Sequence, residues 1–232
     1  TSGTWYAHAS VGCLHVRPVL NMKDTRDIIK MRSIATEAFE LVKKFNGSHS
    51  GEHGDGISRS EFNPVMFGEK LTNAFREIKS LMDPHGIFNP GKIVDAPKMD
   101  DRHLFRFSPG YSVNDFHTEL DWSKWPGSAR GFQGAVEMCN NNGACRKLHG
   151  GIMCPSFRIT GEEKDSTRGR ANSLRLAMSG QLGQNAMASA EMLEAMKLCV
   201  SCKACKRECP TSVDMSAMKL EVMALNARYN SL

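Results

Sequence analysis

Four closely spaced cysteines near the end of the chain constrain what it can fold into more than any other feature. They form the run Cys199-Val-Ser-Cys202-Lys-Ala-Cys205-Lys-Arg-Glu-Cys209-Pro210, with the spacing C-x2-C-x2-C-x3-C-P. Three thiolates with two residues between neighbours can bind three corners of an iron–sulfur cube from one tight loop. The fourth ligates another cluster where two are present. The run therefore predicts an iron–sulfur site in this part of the chain.

A zinc knuckle and a set of disulfides are the two alternatives for these cysteines. Zinc sites usually take two C-x2-C pairs that lie further apart in the sequence, and disulfides need an oxidising compartment. Seven of the eight cysteines lie between Cys139 and Cys209, which indicates a local metal site in a reducing interior rather than a secreted scaffold. We therefore expect a cytoplasmic location, with peripheral attachment at the inner face of the membrane left open.

The size and charge of the chain disfavour several other classes of protein. Its 232 residues, of which 41% are hydrophobic, suffice for one large or two modest domains. No apolar run is long enough to span a bilayer, and no signal peptide is recognisable. The net charge of +5 comes from scattered basic residues, which disfavours nucleic-acid binding. Because the chain begins at Thr1, without Met, in strand-like sequence, we expect a fragment of a longer protein.

A second cysteine group lies upstream of the run and is incomplete. It consists of Cys139 and Cys145, followed by Cys154-Pro155, and Asn142 stands where a further cysteine would be expected. In a two-cluster arrangement the seven cysteines divide into two sets. The first set is Cys154, Cys199, Cys202 and Cys205, and the second set is Cys139, Cys145 and Cys209.

The second set has only three thiolates, so its content stays open at the level of the sequence. It fits a three-iron cluster, a four-iron cluster with one ligand other than cysteine, or no cluster. Asn142 and His149 are the nearby candidates for that other ligand. We therefore expect one [4Fe-4S] cluster and leave a second iron–sulfur cluster open.

Two histidines near the start of the chain flank a predicted turn. Residues 4–20 are rich in β-branched and aromatic types, which favours a strand, a turn near Gly12 and a second strand. Such a hairpin can bring the imidazoles of His8 and His15 to one point, where they would suit a metal ion. Ordinary packing is the alternative for two histidines in a pair of strands.

A glycine-rich loop between two predicted helices carries a third candidate ligand. Helical periodicity covers residues 24–46 and again residues 61–83. Between them, residues 47–56 include Glu52 and His53, a carboxylate beside an imidazole. Such a pair can supply a metal ligand and a general base, and two imidazoles with one carboxylate form a metal site with open positions. A turn with solvated polar residues is the alternative.

The motifs of the first third resemble those of a known enzyme family. They are H-x6-H from His8 to His15, G-E-H-G-D-G at residues 51–56, and D-P-x-G-x-F-N-P-G-K-I-V at residues 83–94. This series resembles the C-terminal half of FAD-linked oxidases of the vanillyl-alcohol-oxidase type, which include D-lactate dehydrogenase, glycolate oxidase and D-2-hydroxyglutarate dehydrogenase. The fusion to a ferredoxin-like segment is similar to the long, iron–sulfur-containing bacterial D-2-hydroxyglutarate dehydrogenases.

The resemblance implies a role for each candidate residue of the first third. It assigns a zinc-like divalent metal to His8, His15 and Glu52, the catalytic base to His53, and the approach to the flavin to Asn89 and Lys92. The chain departs from the family pattern between the two histidines. Val11 and Cys13 stand where many members carry Asp and Asn.

These observations together predict an α+β fold in three parts. Residues 1–95 are expected to be the C-terminal part of an FAD-linked oxidase domain, with a few antiparallel strands plus helices. Residues 96–130, rich in proline and aromatic residues, are expected to be an ordered connector, and residues 131–232 an all-α ferredoxin-type 4Fe-4S domain. Within the last part, residues 190–198 and 213–229 have helical periodicity, and the methionines of the latter are expected in the core.

Three arginines lie close to a predicted helix start in the cysteine-rich part. Ser166 or Thr167 can cap the helix, and Arg168, Arg170 and Arg175 follow. These side chains can hydrogen-bond to cluster sulfurs or to the flavin domain. A solvated helix face is the alternative.

The leading functional hypothesis is a dehydrogenase of which this chain is one part. The resemblance implies metal-assisted oxidation of a small D-2-hydroxy acid to the 2-oxo acid, with His53 as base and FAD as hydride acceptor. Electrons would then leave through iron–sulfur clusters to a quinone or an electron-transfer protein. FAD would be bound mainly by an upstream domain, so this chain alone is expected to be inactive.

Two other classes of protein remain as alternatives. One is a non-enzymatic, ferredoxin-like electron-transfer module whose first third is a docking domain. The other is an interaction domain structured by zinc, which would be colourless. Glu52 and His53, together with the two histidines of the hairpin, discriminate between an enzyme and a carrier, because an electron carrier needs neither a second metal site nor a base.

Overall fold

The computed structural model describes residues 2–115, 117–125 and 131–230. The chain divides into two compact units, Thr1–Tyr111 and Ser112–Leu232. The predicted connector is therefore shared between the units, and its residues 116 and 126–130 lie outside the described part. The sheet found in the described residues is two-stranded and antiparallel, and the other regular elements are helical. The fold is thus α+β, as predicted.

The first unit opens with the predicted β-hairpin. Strand β1 (Gly3–His8) pairs with β2 (Cys13–Pro18) through a short 3-10 turn, and Gly12 adopts the left-handed φ of 66° that glycine tolerates best. Tyr6 lies opposite His15 in the register. Because side chains alternate across a strand, one face of the hairpin collects Thr4, Tyr6, His8, Cys13, His15 and Arg17.

Two long helices follow the hairpin. Helix α1 (Thr25–Lys44) begins at Asp24, whose side chain accepts the backbone N–H of Arg26 at 2.9 Å. The glycine-rich loop ends in a short helix, α2 (Gly56–Arg59), which the sequence pattern did not indicate. Helix α3 (Asn63–Met82) covers the second predicted helix, but Gly68 interrupts it with φ 80° and ψ 164°. The predicted continuous helix is therefore kinked, because glycine adopts positive φ without the steric cost of a Cβ atom.

The second unit consists of short helices around the cysteines. They are α4 (Gly131–Glu137), α5 (Pro155–Thr160), α6 (Thr167–Met178), α7 (Ala190–Lys197), α8 (Ala204–Glu208) and α9 (Met215–Asn230). Ser166 caps α6, since its hydroxyl accepts the N–H of Gly169 at 2.9 Å. Helices α7 and α9 agree with the predicted spans to within two residues.

The larger hydrophobic core lies in the second unit. Its most deeply buried members include Ala135, Val136, Leu174, Met178, Met196, Met218 and Val222, and five cysteines share this core. Met215 and Met218 of α9 are buried as expected, whereas Met223 is half exposed. Among the described residues of the first unit, the buried hydrophobic side chains are those of Ile28, Phe39 and Val94. No helix in the described ranges combines the length and apolarity needed to cross a membrane.

Candidate metal and iron–sulfur sites

Three predicted metal ligands meet on the first unit, where the hairpin faces the glycine-rich loop. His8 and His15 share one face of the hairpin on neighbouring strands, and Glu52 approaches from the loop. Nδ1 of His8 lies 2.7 Å from Oε2 of Glu52, and Nε2 of His15 lies 2.9 Å from Oε1. Within the described residues this is the one group of three candidate ligand atoms that all lie within 4.8 Å of one another.

The electrostatics of this group favour an anionic carboxylate. The hydrogen bond from His8 lowers the pKa of Glu52, burial opposes that shift, and the hydrogen bond from His15 adds to it, so the pKa lies below its ordinary value. Carboxylates bind metal ions in the deprotonated form. Glu52 is therefore in the ligand form at neutral pH.

The ring of His15 stacks on Tyr6, and Arg17 lies over the ring of Tyr6; the sequence motifs did not indicate either residue. Tyr6 stacks on His15 with the ring centroids 4.6 Å apart and the planes 5° from parallel. The guanidinium of Arg17 lies 4.9 Å from the centroid of Tyr6. The two-residue repeat of the strands could have identified both, because Tyr6 and Arg17 share the hairpin face with His15.

The glycine-rich loop comes so close to the hairpin that one glycine has no room for a side chain. A Cβ atom on Gly51 would lie 2.1 Å from Sγ of Cys13. Such a distance is far inside van der Waals contact, so with any other residue here either the Cys13 side chain would have to rotate or the loop would have to move away from β2. Cys13, one of the two residues that depart from the family pattern, thus lies beside the backbone that carries Glu52.

The two histidines of the loop have different surroundings. His53 is open to solvent, with its side chain 62% exposed and Nε2 3.2 Å from Oε1 of Glu52. His49 is buried and has its ring edge against Phe39, with Nε2 3.8 Å from Oδ1 of Asp55. Only His53 therefore combines access for a substrate with contact to the ligand group.

The segment that carries Asn89 and Lys92 is anchored at both ends. Before it, the carboxylate of Asp83 accepts the N–H groups of Ile87 and Phe88, both at 2.9 Å. After it, the N–H of Ile93 donates to Ser60 Oγ at 2.9 Å, and Asn63 Nδ2 donates to the carbonyl of Ile93 at 3.1 Å. These hydrogen bonds fix the backbone of residues 89–92, in which Asn89 has a left-handed φ of 45°.

In the second unit, the first predicted cysteine set surrounds one cavity. The cavity is small, with a volume of about 20 Å³, and it is partly open to solvent. Its lining includes Cys154, Cys199, Cys202 and Cys205, together with Ser156, Thr167 and Arg170. Cys154 comes from the start of α5, and the other three come from the loop before α8 and its first turn.

Two buried thiols of this cavity differ in their surroundings. Burial raises the pKa of the Cys205 thiol to about 11. Burial would also raise the pKa of Cys154, but hydrogen bonds from Ser156 and Thr167 and the charge of Arg170 help to hold that pKa below its ordinary value. Cys154 is therefore surrounded by groups that favour a thiolate.

One member of the second cysteine set, Cys145, lies beside the start of α6. The backbone N–H of Arg168 points to Cys145 Sγ at 3.4 Å, and Cys139 Sγ lies 3.8 Å from Asn141 Oδ1. Although burial would raise the pKa of Cys209, groups that include the side chains of Thr211 and Asn142 hold that pKa below its ordinary value. Asn142, one of the two candidates for a ligand other than cysteine, therefore reaches this set, whereas the other candidate, His149, is solvent-exposed.

All eight cysteines lie in the described part of the chain and are free thiols. No disulfide, one of the two alternatives raised by the sequence, joins any of them in this structure.

Comparison with known families gives two matches that together cover most of the chain. Residues 1–93 match the family described as FAD linked oxidases, C-terminal domain. Residues 135–213 match the family described as 4Fe-4S dicluster domain. The matches confirm FAD and iron–sulfur as the expected types of cofactor.

Similar proteins with curated names come from bacteria. D-2-hydroxyglutarate dehydrogenase of Escherichia coli (strain K12) is 31% identical over an alignment of 261 positions, gaps included. The alignment covers 97% of this chain and 25% of that protein. The enzyme of the same name from Pseudomonas putida is also 31% identical, over an alignment of 257 positions that again covers 97% of this chain and 25% of that protein. Glycolate oxidase subunit GlcD of Bacillus subtilis is 27% identical over 95 residues, 40% of this chain and 20% of that protein.

The chain thus spans about a quarter of the length of the D-2-hydroxyglutarate dehydrogenases that it matches. No solved structure matches it significantly. Both parts of the predicted resemblance are confirmed: residues 1–93 are similar to the C-terminal domain of FAD-linked oxidases, and residues 135–213 are similar to a 4Fe-4S dicluster domain.

Proposed function

We propose that the chain forms part of a dehydrogenase that oxidises a D-2-hydroxy acid of the 2-hydroxyglutarate or the lactate and glycolate type to the 2-oxo acid. The observation that carries this proposal is the contact of Glu52 with both His8 and His15, beside an accessible His53. The same chain carries a cysteine-lined cavity. A protein that only carries electrons would not need the group formed by His8, His15 and Glu52.

The donor set of the first unit fits a divalent metal of the zinc type. Two imidazole nitrogens and one carboxylate oxygen are a ligand set that catalytic zinc sites use, with a coordination position left for substrate. His8, His15 and Glu52 would hold the ion. The ion would polarise the α-hydroxyl group of the substrate, and FAD would supply the hydride acceptor.

His53 would take the proton of the substrate hydroxyl. Its exposed imidazole can reach a substrate bound next to the ligand group, and Glu52 at 3.2 Å can stabilise the resulting imidazolium. Asn89 and Lys92 would contact the flavin, a role supported by the anchored backbone on either side of them.

The cysteines of the second unit would carry the electrons away. Cys154, Cys199, Cys202 and Cys205 line one cavity, and four cysteine thiolates are the ligand set of a [4Fe-4S] cluster. Cys139, Cys145 and Cys209 would hold a second iron–sulfur cluster, with Asn142 beside it. We further propose a quinone or an electron-transfer protein as the acceptor, and a cytoplasmic location because the chain is dense in thiols.

Two substitutions in the full-length protein test the metal and the base separately. Glu52→Gln keeps the size of the side chain but removes its charge, so we expect loss of bound divalent metal and of most turnover. His53→Ala should keep the metal and lower the turnover roughly a hundred- to ten-thousand-fold. Metal content is measured by elemental analysis. Turnover is measured with D-2-hydroxy acids as substrates and with an artificial electron acceptor that bypasses the clusters.

The outcomes separate the enzyme from the electron-transfer module. A wild-type rate in His53→Ala would show that His53 is not the base. If Glu52→Gln also kept both metal and rate, the metal site would not exist, and the ferredoxin-like module with a docking domain would replace this proposal. A matched control is Glu37→Gln, on the exposed face of α1, which should change neither quantity.

A further inference from the structure

Arg170 is a fully buried cation in the lining of the four-cysteine cavity. It lies on α6 with 0% of its surface exposed. Its Nη2 atom is buried and, among the described residues, has no hydrogen-bond acceptor. A buried donor without a partner loses its hydration and gains nothing in return, so this nitrogen is a group for which the protein itself supplies no acceptor.

The other nitrogens of Arg170 hold the guanidinium in place. Nε donates to the carbonyl of Ala195 at 2.7 Å, and Nη1 donates to the carbonyl of Asp165 at 2.7 Å. Nη1 also lies 3.1 Å from Ser156 Oγ and 3.9 Å from Cys154 Sγ. The guanidinium is therefore fixed beside the one thiol that reaches the cavity from α5.

A single carboxylate partly balances this charge. Oδ1 of Asp165 lies 3.6 Å from Nη2 of Arg170, and both residues are almost completely buried. The distance is too long for a hydrogen bond, so the carboxylate compensates charge without satisfying the donor. Because Arg170 lines the cavity, an anionic acceptor bound there would lie beside its guanidinium.

We propose that Arg170 donates a charge-assisted hydrogen bond to the sulfur atoms of the cluster held by Cys154, Cys199, Cys202 and Cys205, and that it raises the reduction potential of that cluster. The inference rests on the cluster that the proposed function places in this cavity. Reduction adds one negative charge to a centre that is already anionic, and a nearby buried cation favours the more negative state. Arginine keeps its proton at any physiological pH, so its effect is permanent.

Asp165 should have the opposite effect to Arg170 on the reduction potential of the cluster. Its carboxylate opposes the effect of Arg170 on the cluster, because a nearby negative charge disfavours the added electron. Removing the two charges one at a time should therefore move the reduction potential in opposite directions. A residue that only supports the local packing would not produce such a reversal.

The test is a redox titration of the full-length protein with its cofactors, followed by electron paramagnetic resonance. Arg170→Gln should lower the ratio of reduced to oxidised cluster roughly tenfold at a fixed potential, which is about 59 mV for one electron. Asp165→Asn, of nearly the same shape as the native residue, should raise that ratio. Arg170→Lys keeps the positive charge and should lie between wild type and Arg170→Gln.

Two controls assign the signal to the right cluster. The shifting signal should be the one that Cys202→Ser removes, because Cys202 lines the same cavity. Arg228→Gln removes an exposed cation near the far end of α9, outside this lining, and it should leave the potential unchanged. A shift confined to another signal would overturn the assignment to this cluster.

The possible failures of this inference and of the proposed function are distinct. Unchanged potentials, or shifts of the same sign in Arg170→Gln and Asp165→Asn, would overturn the inference while the protein still bound iron and oxidised a D-2-hydroxy acid. Wild-type protein without an iron–sulfur signal would overturn the cluster part of the proposed function and the inference with it. Asp165→Asn keeps the test decisive if Arg170→Gln does not fold.

Discussion

At the scale of single residues, Glu52 depends on a glycine for its position. Gly51 allows the loop to approach β2 so closely that its backbone passes beside the thiol of Cys13. Neither residue is itself a proposed ligand. Both nevertheless decide whether Glu52 reaches His8 and His15, because a shift of the loop by the width of a methyl group would break both contacts.

A pair of substitutions tests this dependence. Gly51→Ala places a methyl group 2.1 Å from Cys13 Sγ, so we expect the full-length protein to lose most of its divalent metal and its turnover. Cys13→Ala removes the sulfur and leaves Cβ at 3.5 Å, an ordinary contact. The double variant should therefore recover metal and turnover. Equal losses in the single and double variants would contradict this explanation.

At the scale of elements, Asn63 at the start of α3 joins two functional segments. Its Nδ2 group donates to the carbonyl of Ile93 at 3.1 Å and lies 3.4 Å from Oδ2 of Asp55. It therefore connects the segment that carries Lys92 to the loop that carries Glu52. Asn63 is completely buried, so no water can replace its hydrogen bonds without rearrangement.

We expect Asn63→Ala to loosen both segments at once. Leaving buried partners unsatisfied costs about 1–3 kcal/mol, and urea unfolding should show a loss of stability of that size. The flavin and divalent-metal content of the full-length protein should fall together. Asn73→Ala, on an exposed position of the same helix, is the control and should stay within about 0.5 kcal/mol of wild type. Loss of metal without loss of flavin would argue against a shared anchor.

The elements also show what the sequence could and could not reveal. The two-residue repeat of strands and the turn at Gly12 were sufficient to predict that His8 and His15 converge. The kink at Gly68 was not predictable, because a lone glycine within a helical pattern is often accommodated without a break. The partners of Arg170 were also beyond reach, since Ala195 lies on another helix and only tertiary packing brings the two together.

At the scale of the whole molecule, the two units bury their apolar side chains to different extents. In the second unit the cysteines are part of the hydrophobic core, whereas the hairpin of the first unit leaves Trp5 and Leu14 largely exposed. Binding of a metal centre to such a cysteine-rich unit contributes directly to its folding energy. We therefore expect the stability of the second unit to depend on its iron.

The two cysteine sets should differ in what they contribute. Cys202→Ser removes a ligand of the complete set and should abolish most of the iron–sulfur absorbance. Cys139→Ser affects the set of three thiolates and should leave much of that absorbance, with a smaller loss of thermal stability. Visible absorption and iron content of anaerobically purified protein measure both effects, and equal losses in the two variants would contradict this ranking.

The origin of the cavity-lining cysteines has a consequence for the biogenesis of the protein. Cys154 precedes Cys199 by several helices, so a cluster bound by both acts as a cross-link that closes a long loop of the chain. Of the four thiols, that of Cys205 is the last to leave the ribosome. Iron can therefore complete this centre only after helices α4 to α7 have been made, and a nascent chain truncated after α7 would have three open corners and no cross-link.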